Sequence, residues 1–315
     1  MILGFDIGGT KCAVVLAKET KEGINFLQRE EIPTEQNWKN TLDSLIDMGI
    51  KMLKDFDGQK SQYKIGISCG GPLDNKKGII KSPPNLPGWD DVPIVDYIYD
   101  KLGVRAKLQN DADACALAEW KYGAGKGLTN MIFLTFGTGL GAGLILNGKL
   151  YTGASNMAGE VGHIRLADDG PTGYGKSGSF EGFCSGGGIA QLGQKVAADL
   201  EKQGRKASFC KGDIQEITAK DVAESAKEGH KDALEVFEIS GRYFGKGLSI
   251  LIDILNPELI VVGSIYTRAE KYLAPAMHKE IIKESLKDSR DYVRIVPAKL
   301  GEQIGDYGAV VTALI

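Results

Sequence analysis

The chain has 315 residues, 43% of them hydrophobic, enough length and apolar content for two domains of ordinary size, each with its own core. A formal net charge of −3 offers no basic surplus for nucleic acid, and no apolar run reaches the ~20 residues of a membrane span. Cys12, Cys69, Cys115, Cys184 and Cys210 are widely spread with no Cys-x-x-Cys pair, and the start lacks a basic signal-peptide region, which together argue for a cytoplasmic protein with reduced thiols.

Residues Ile2 to Leu16 read as strand, glycine turn and strand, and Ile24 to Gln28 as a third strand on the same antiparallel edge. Trp38, Leu42, Leu45, Ile46, Met52, Leu53 and Phe56 recur at helical spacing, and Tyr63 to Ser68 reads as a buried strand. Val92 to Leu102 predicts a short helix, Arg105 to Gln109 a strand, and Ala112 to Tyr122 a helix that begins just after Asn110-Asp111. Gly123-Ala-Gly125-Lys-Gly127 is the expected hinge, dividing an N-terminal α/β lobe, 1–122, from a C-terminal lobe, 123–305. About 130 residues after the first hairpin, Met131 to Leu146 repeats it around Gly137-Thr138-Gly139. The glycine-rich stretch from Ala154 to Gly188 shows no period and reads as a binding loop or a disordered one. Helices follow from Ile189 to Leu255, the last with Leu234, Phe237, Phe244, Leu248, Leu251 and Leu255 on one face. Leu259 to Gly263 is a buried strand, Thr267 to Leu286 a helix, Val293 to Val296 a strand, and about 306–315 a closing helix expected to pack back on the first lobe.

Two related glycine hairpins imply two related lobes, each offering backbone N–H groups to a polyphosphate. Gly137-x-Gly139-x-x-Ala142 meets the letter of the dinucleotide fingerprint, but that motif must open a helix and here Leu144-Ile145-Leu146 continues as strand. No Gly-Lys-Ser/Thr follows either turn, which excludes a P-loop.

Seven segments occur in a family's order: Asp6-Ile-Gly-Gly-Thr-Lys11, Ser68-Cys-Gly-Gly-Pro-Leu-Asp74, Pro84-Asn-Leu-Pro-Gly-Trp89, Asn110-Asp111-Ala-Asp-Ala, Phe136-Gly-Thr-Gly-Leu-Gly141, Ala158-Gly-Glu160-Val-Gly-His163 and Pro257-Glu-Leu-Ile-Val-Val-Gly263. On these segments the chain resembles the ROK family (repressor, open reading frame, kinase) of sugar kinases over almost its whole length. The resemblance implies an α/β, two-lobed actin-like ATPase (ribonuclease H-like) fold with duplicated mixed-sheet domains, and transfer of the ATP γ-phosphoryl group to a sugar hydroxyl. Such a reaction needs mainly positioning, charge stabilisation and a carboxylate to accept the hydroxyl proton. That carboxylate is Asp111 by family position; read alone, an Asp ahead of a helix is an N-cap. Asn110, Gly71 and Asn85 from the first lobe, with Glu160, His163 and Glu181 from the second, are implied around the sugar. Asp6 is implied near Mg²⁺ through water, since this ion keeps part of its hydration shell. Gly8, Gly9 and Thr10, then Gly137, Thr138 and Gly139, are expected to face the phosphates; Lys11 either joins them or sits solvated at the end of its turn. Gly263 lies where relatives approach the adenosine, and Ser264-Ile265 departs from the further glycines usual there.

One departure bears on metals. Relatives follow the Gly-His pair with Cys-x-Cys-Gly-x-x-Gly-Cys-x-Glu, three thiolates that join the histidine on a structural zinc, whereas this chain reads Thr172-Gly-Tyr174-Gly-Lys-Ser-Gly-Ser179-Phe-Glu181. One histidine without thiolates cannot close a four-ligand shell, so no zinc is expected, and Tyr174 and Phe180 are the candidates to order the loop by packing. The chain opens directly on the hairpin strand, against a repressor with an N-terminal DNA-binding helix-turn-helix. A homodimer follows from family habit. Glucose is the foremost acceptor, with N-acetylmannosamine, N-acetylglucosamine, fructose and β-glucosides as alternatives, alongside a sugar-binding member without catalysis.

Overall fold

The computed structural model describes residues 1–57 and 62–315. In chain order the strands are β1 (Ile2–Ile7), β2 (Lys11–Thr20), β3 (Gly23–Pro33), β4 (Lys64–Cys69), β5 (Leu73–Asp74), β6 (Ile79–Ile80), β7 (Lys107–Asn110), β8 (Met131–Phe136), β9 (Leu140–Leu146), β10 (Lys149–Leu150), β11 (Thr172–Gly173), β12 (Lys176–Ser177), β13 (Leu259–Ser264) and β14 (Arg294–Pro297). The helices are α1 (Trp38–Asp57), α2 (Ile94–Leu102), α3 (Asp111–Tyr122), α4 (Phe180–Phe183), α5 (Gly186–Glu201), α6 (Ala219–Lys227), α7 (Lys231–Leu255), α8 (Ile265–Glu284), α9 (Lys287–Tyr292) and α10 (Ile304–Thr312). Two compact units emerge: residues 1–128, 143–158 and 299–315 form the first, and 129–142 with 159–298 the second.

The first unit is built on a mixed sheet in the order β3-β2-β1-β4-β7. β1 runs antiparallel to β2 and parallel to β4, and β4 parallel to β7, so the carboxyl ends of β1, β4 and β7 share one edge. Helices cover both faces, which is why β1 is apolar at nearly every position rather than at alternate ones. Leu3, Phe5 and Ile7 pack with Leu42, Leu45 and Ile46 of α1, while Ile2, Val15 and Ala17 pack with Val310 and Ala313 at the other face. α10 lies so close on β4 that a Cβ at Gly66 would stand 2.1 Å from the Ala309 carbonyl oxygen.

This division differs from the expected break at residue 123, and buried contacts account for it. The Glu119 carboxylate, fully buried, accepts N–H bonds from Ala124 at 2.7 Å and Leu300 at 2.8 Å, tying both segments to α3. Trp120 Nε1 donates to the Leu128 carbonyl at 2.7 Å. Gly143 meets α3 directly, for a Cβ there would lie 2.4 Å from the Ala112 oxygen.

The second sheet has the order β10-β9-β8-β13-β14, the same sequence of roles as the first. β13 is parallel to β8 and to β14 and is buried along Leu259–Gly263. α7, the longest helix of the described residues, buries Phe237, Phe244, Leu248 and Leu251. The stretch 154–188, without period in the sequence, contains a 3-10 turn at Val161–His163, the β11–β12 hairpin and the single turn of α4. All five cysteines are buried free thiols, and among the described residues no helix is long and apolar enough to cross a membrane.

Candidate active site

The first unit gathers Asp6, Gly71, Asn85, Asn110 and Asp111 around the carboxyl ends of β1, β4 and β7, the edge at which ligands bind in open α/β sheets. Asn110, not Asp111, caps α3: its Oδ1 accepts from the N–H groups of Ala112 at 2.9 Å and Asp113 at 3.4 Å. With that acceptor engaged, the amide presents its donor end, and Nδ2 lies 3.0 Å from where a Cβ of Gly71 would be. Asp111 is the first helical residue, exposed to solvent, and its Oδ1 accepts from Ala112 N–H at 2.8 Å. The protein packed around its carboxylate disfavours the charge and raises its pKa, opposed by that N–H bond.

Asp6, next to last in β1, is half-buried. Burial first, then the negative charges of Asp306 and Asp111, push its carboxyl from 3.8 up to about 7, while Arg29 and Lys11 pull the other way. α10 starts against it: a Cβ at Gly305 would stand 2.5 Å from Asp6 Oδ2, so a side chain there would push the carboxylate aside. Arg29 and Asp306 were not found in the sequence. Arg29 lies in the polar run Gln28 to Glu31 on an edge strand, and Asp306 interrupts an apolar helix, a signal of pairing but not of the partner. Lys11 reaches Glu31 at 2.9 Å and is 64% exposed, so its ammonium lies along the strand edge in an ion pair.

The first glycine turn is closed by Gly8 N–H donating to Lys11 O at 3.2 Å, with Thr34 Oγ1 donating to Gly8 O at 2.6 Å. Gly8 therefore spends its amide inside the hairpin, and Gly9 and Thr10 carry the donors left for a ligand. Gly9 backs onto the loop of Asn85, whose carbonyl oxygen would be 2.2 Å from a Cβ at position 9. Asn85 is exposed, its side-chain amide beside Gly70.

In the second unit Gly137 likewise spends its N–H within the turn, on Gly139 O at 3.0 Å. The turn is braced twice: Gly186 N–H, at the start of α5, donates to Gly137 O at 2.8 Å, and Glu181 Oε2 accepts from Leu140 N–H at 3.0 Å. Glu181 thus stands against the glycine turn rather than apart from it, and Gly139 leaves the room it needs. Thr138 is exposed at the tip. Gly263 is buried within β13, where a Cβ would come 3.0 Å from the Phe133 ring. Ser264 follows at φ 57° and ψ −117°.

Glu160 and His163 bracket the 3-10 turn, and both are exposed. Thr172, Tyr174 and Ser179, which stand where zinc-bearing relatives have thiolates, are each engaged with protein. Thr172 exchanges backbone bonds with the Gln191 amide at 2.8 and 2.9 Å. Ser179, fully buried, accepts from Gly182 N–H at 3.1 Å and donates to Gly173 O at 3.3 Å. Tyr174 meets the His163 ring. Phe180 is buried against Phe244.

Residues 2–314 match the family described as ROK. A glucokinase of Halalkalibacterium halodurans is 31% identical over 312 residues, spanning 97% of this chain and 92% of its own. A xylose repressor of Caldicellulosiruptor bescii is 30% identical over 268 residues, 84% of this chain and 65% of its own. The crystal structure of a ROK family glucokinase from Streptomyces griseus, in complex with glucose and AMPPNP, superposes with a TM-score of 0.79 at 28% identity, covering 99% of each chain. The chain belongs to the ROK family and has the α/β fold of the actin-like ATPases.

Proposed function

We propose that this protein is an ATP-dependent hexose kinase with glucose as its first acceptor. The observation that carries the reading is the pair Asn110-Asp111 at the start of α3: a solvent-facing carboxylate with a raised pKa beside an amide that offers donors. A carboxylate whose pKa is raised toward the working pH is a better base. Asp111 takes the proton of the acceptor hydroxyl as its oxygen bonds to the γ-phosphorus; the bond to the bridging oxygen breaks and ADP leaves with that electron pair. Asn110, Asn85 and Gly71 hold neighbouring hydroxyls in the first unit, and Glu160, His163 and the second oxygen of Glu181 are the sugar-binding candidates of the second, because unpaired polar groups at a binding site are costly. The amides of Gly9, Thr10, Thr138 and Gly139 are the donors for the phosphates.

Burial first, then the charges of Asp306 and Asp111, raise Asp6 against Arg29 and Lys11, and three carboxylates facing two cations fit a divalent cation. One or two carboxylates with retained water suit Mg²⁺, so Asp6 is the residue to hold it, through water. When bound, the ion would neutralise charge on the phosphate oxygens.

The similarity to glucokinases favours glucose, and the relatedness to a repressor keeps a sugar sensor as the opposing result. The test is ADP release from ATP and Mg²⁺ across hexoses, N-acetylhexosamines and disaccharides. Turnover on one sugar, falling 10²- to 10⁴-fold in Asp111→Asn, is the expected result. Silence on every sugar with binding retained would make the protein a sensor.

A further inference from the structure

Tyr174 and Gly175 are the two central residues of the β11–β12 hairpin, since Gly173 pairs with Lys176 and Thr172 with Ser177. Both have positive φ, 45° and 73°. That is the geometry of a two-residue hairpin turn in which Asn, Asp or Gly is the ordinary first residue. An aromatic side chain there is an outlier, and a strained backbone persists only where its surroundings over-determine it. Burial does not supply that compensation, for Tyr174 is 62% exposed. Its ring contact is with His163, edge to face, centroids 6.2 Å apart and planes at 78°. This is a favoured arrangement for two rings.

The hairpin and the residues just after it hold the backbone at and beyond the histidine. Lys176 Nζ donates to the His163 carbonyl at 2.7 Å, Phe180 N–H to Ile164 O at 2.8 Å, and Leu166 N–H to Gly178 O at 2.8 Å. With the main chain on both sides of the hairpin tied down, the freedom left to His163 is rotation of its own side chain. The ring of Tyr174 lies against that motion.

We propose that Tyr174 is a positioning residue that sets the His163 imidazole in the pose offered to the sugar, with Lys176 fixing the backbone beneath it. The inference deepens the hexose-kinase reading and rests on it. Tyr174 touches neither reactant; it limits which way the imidazole faces, and so which hydroxyl it can pair with.

The test compares Tyr174→Asn and Tyr174→Phe with the unmodified protein, using glucose as the acceptor. Asn suits the positive φ, so this variant should fold with an unchanged or higher Tm. With three histidines in the chain, the His163 ring proton can be followed by NMR without any turnover. Tyr174→Asn should abolish the ring-current shift of His163 and raise the glucose KM about threefold to tenfold, leaving the ATP KM unchanged and kcat nearly so. Tyr174→Phe should behave as the unmodified protein. In a His163→Ala background Tyr174→Asn should add nothing further.

An unchanged His163 shift in Tyr174→Asn would overturn the inference. So would a lost shift with an unaltered glucose KM. If His163→Ala alone left the glucose KM unaltered, the placement of His163 at the sugar would fail and take the inference with it. Absence of glucose turnover in the unmodified protein would instead sink glucose as acceptor and, with it, the acceptor half of the inference, while the NMR shift would still decide the ring contact.

Discussion

Arg29 holds Asp306 through Nε, at 3.1 and 2.9 Å from the two carboxylate oxygens, across 277 positions of sequence. The pair joins β3 to α10 beside Asp6, and its terminal nitrogen reaches Glu31 at 2.7 Å. Asp306 is almost wholly buried and raises the Asp6 pKa by its charge. Replacing Asp306 by Asn removes that charge and keeps the shape. The Asp6 pKa should fall, and if ionised Asp6 serves the proposed Mg²⁺, the acidic limb of kcat/KM should move to lower pH by up to about one unit. Arg29→Gln should move it upward, because a nearby positive charge is lost. A pH–rate profile on glucose reads both shifts, and a limb that stays in place in both variants would show that Asp6 does not set it.

The same shift has a consequence for stability. Between 3.8, the ordinary value, and about 7, folded Asp6 retains a proton that the unfolded chain has released. Stability contributed by this group therefore falls as pH rises through that window, and above it the ionised carboxylate is a net cost. Asp6→Asn should stabilise the protein at pH 8 by about 1 to 2 kcal/mol, after discounting for its partial exposure, and by little at pH 3.5. Activity should be lost together with the gain in Tm. Denaturant melts at the two pH values check this, and equal effects at both would refute the titration argument.

Gly9 touches two parts of the proposed site at once. Its amide belongs to the first glycine turn, and its Cα faces the Asn85 carbonyl so closely that a methyl group would need the 2.2 Å gap to open. Gly9→Ala should displace the Asn85 loop and raise the KM for both ATP and glucose by about tenfold or more, with Asp111 untouched. Separate titrations of the two substrates decide it. A change confined to ATP would mean that Asn85 plays no part in holding the sugar.

Much of this site was legible in the sequence because its signals are local. Each glycine turn lies between two apolar runs, and Asn110 announces the start of α3 two residues before the first N–H it satisfies. The β11–β12 hairpin was not legible: two-residue strands are too short to show a period, and Tyr174 occupies a turn position where the rules expect Asn or Gly. α9, six residues with no buried side chain, lacks an apolar face to read. Long-range partners were hidden for a different reason. Nothing near Arg29 indicates Asp306, and nothing near residue 119 shows that its carboxylate will join Ala124 and Leu300. Gly263 stands out in the sequence because its neighbours match a motif, while the close approach of the Phe133 ring, distant in sequence, could not be read there.

Ser264 ends β13 with φ 57° and ψ −117°, a conformation that costs a residue with a Cβ and costs glycine little. It caps no N–H of α8 with its side chain, so the hydroxyl gives back nothing to the helix. Its Oγ does lie 3.4 Å from where a Cβ of Gly137 would be, next to the second glycine turn. Two opposite effects of Ser264→Gly follow. Relief of backbone strain should exceed the extra chain entropy of glycine and stabilise the fold by about 1 kcal/mol. If the hydroxyl serves the nucleotide, the ATP KM should rise while the glucose KM holds. A thermal melt and an ATP titration on the same preparation separate the two effects. A higher Tm with an unaltered ATP KM would assign Ser264 to the backbone alone, and a lower Tm would show that its strain is offset by contacts a glycine cannot make.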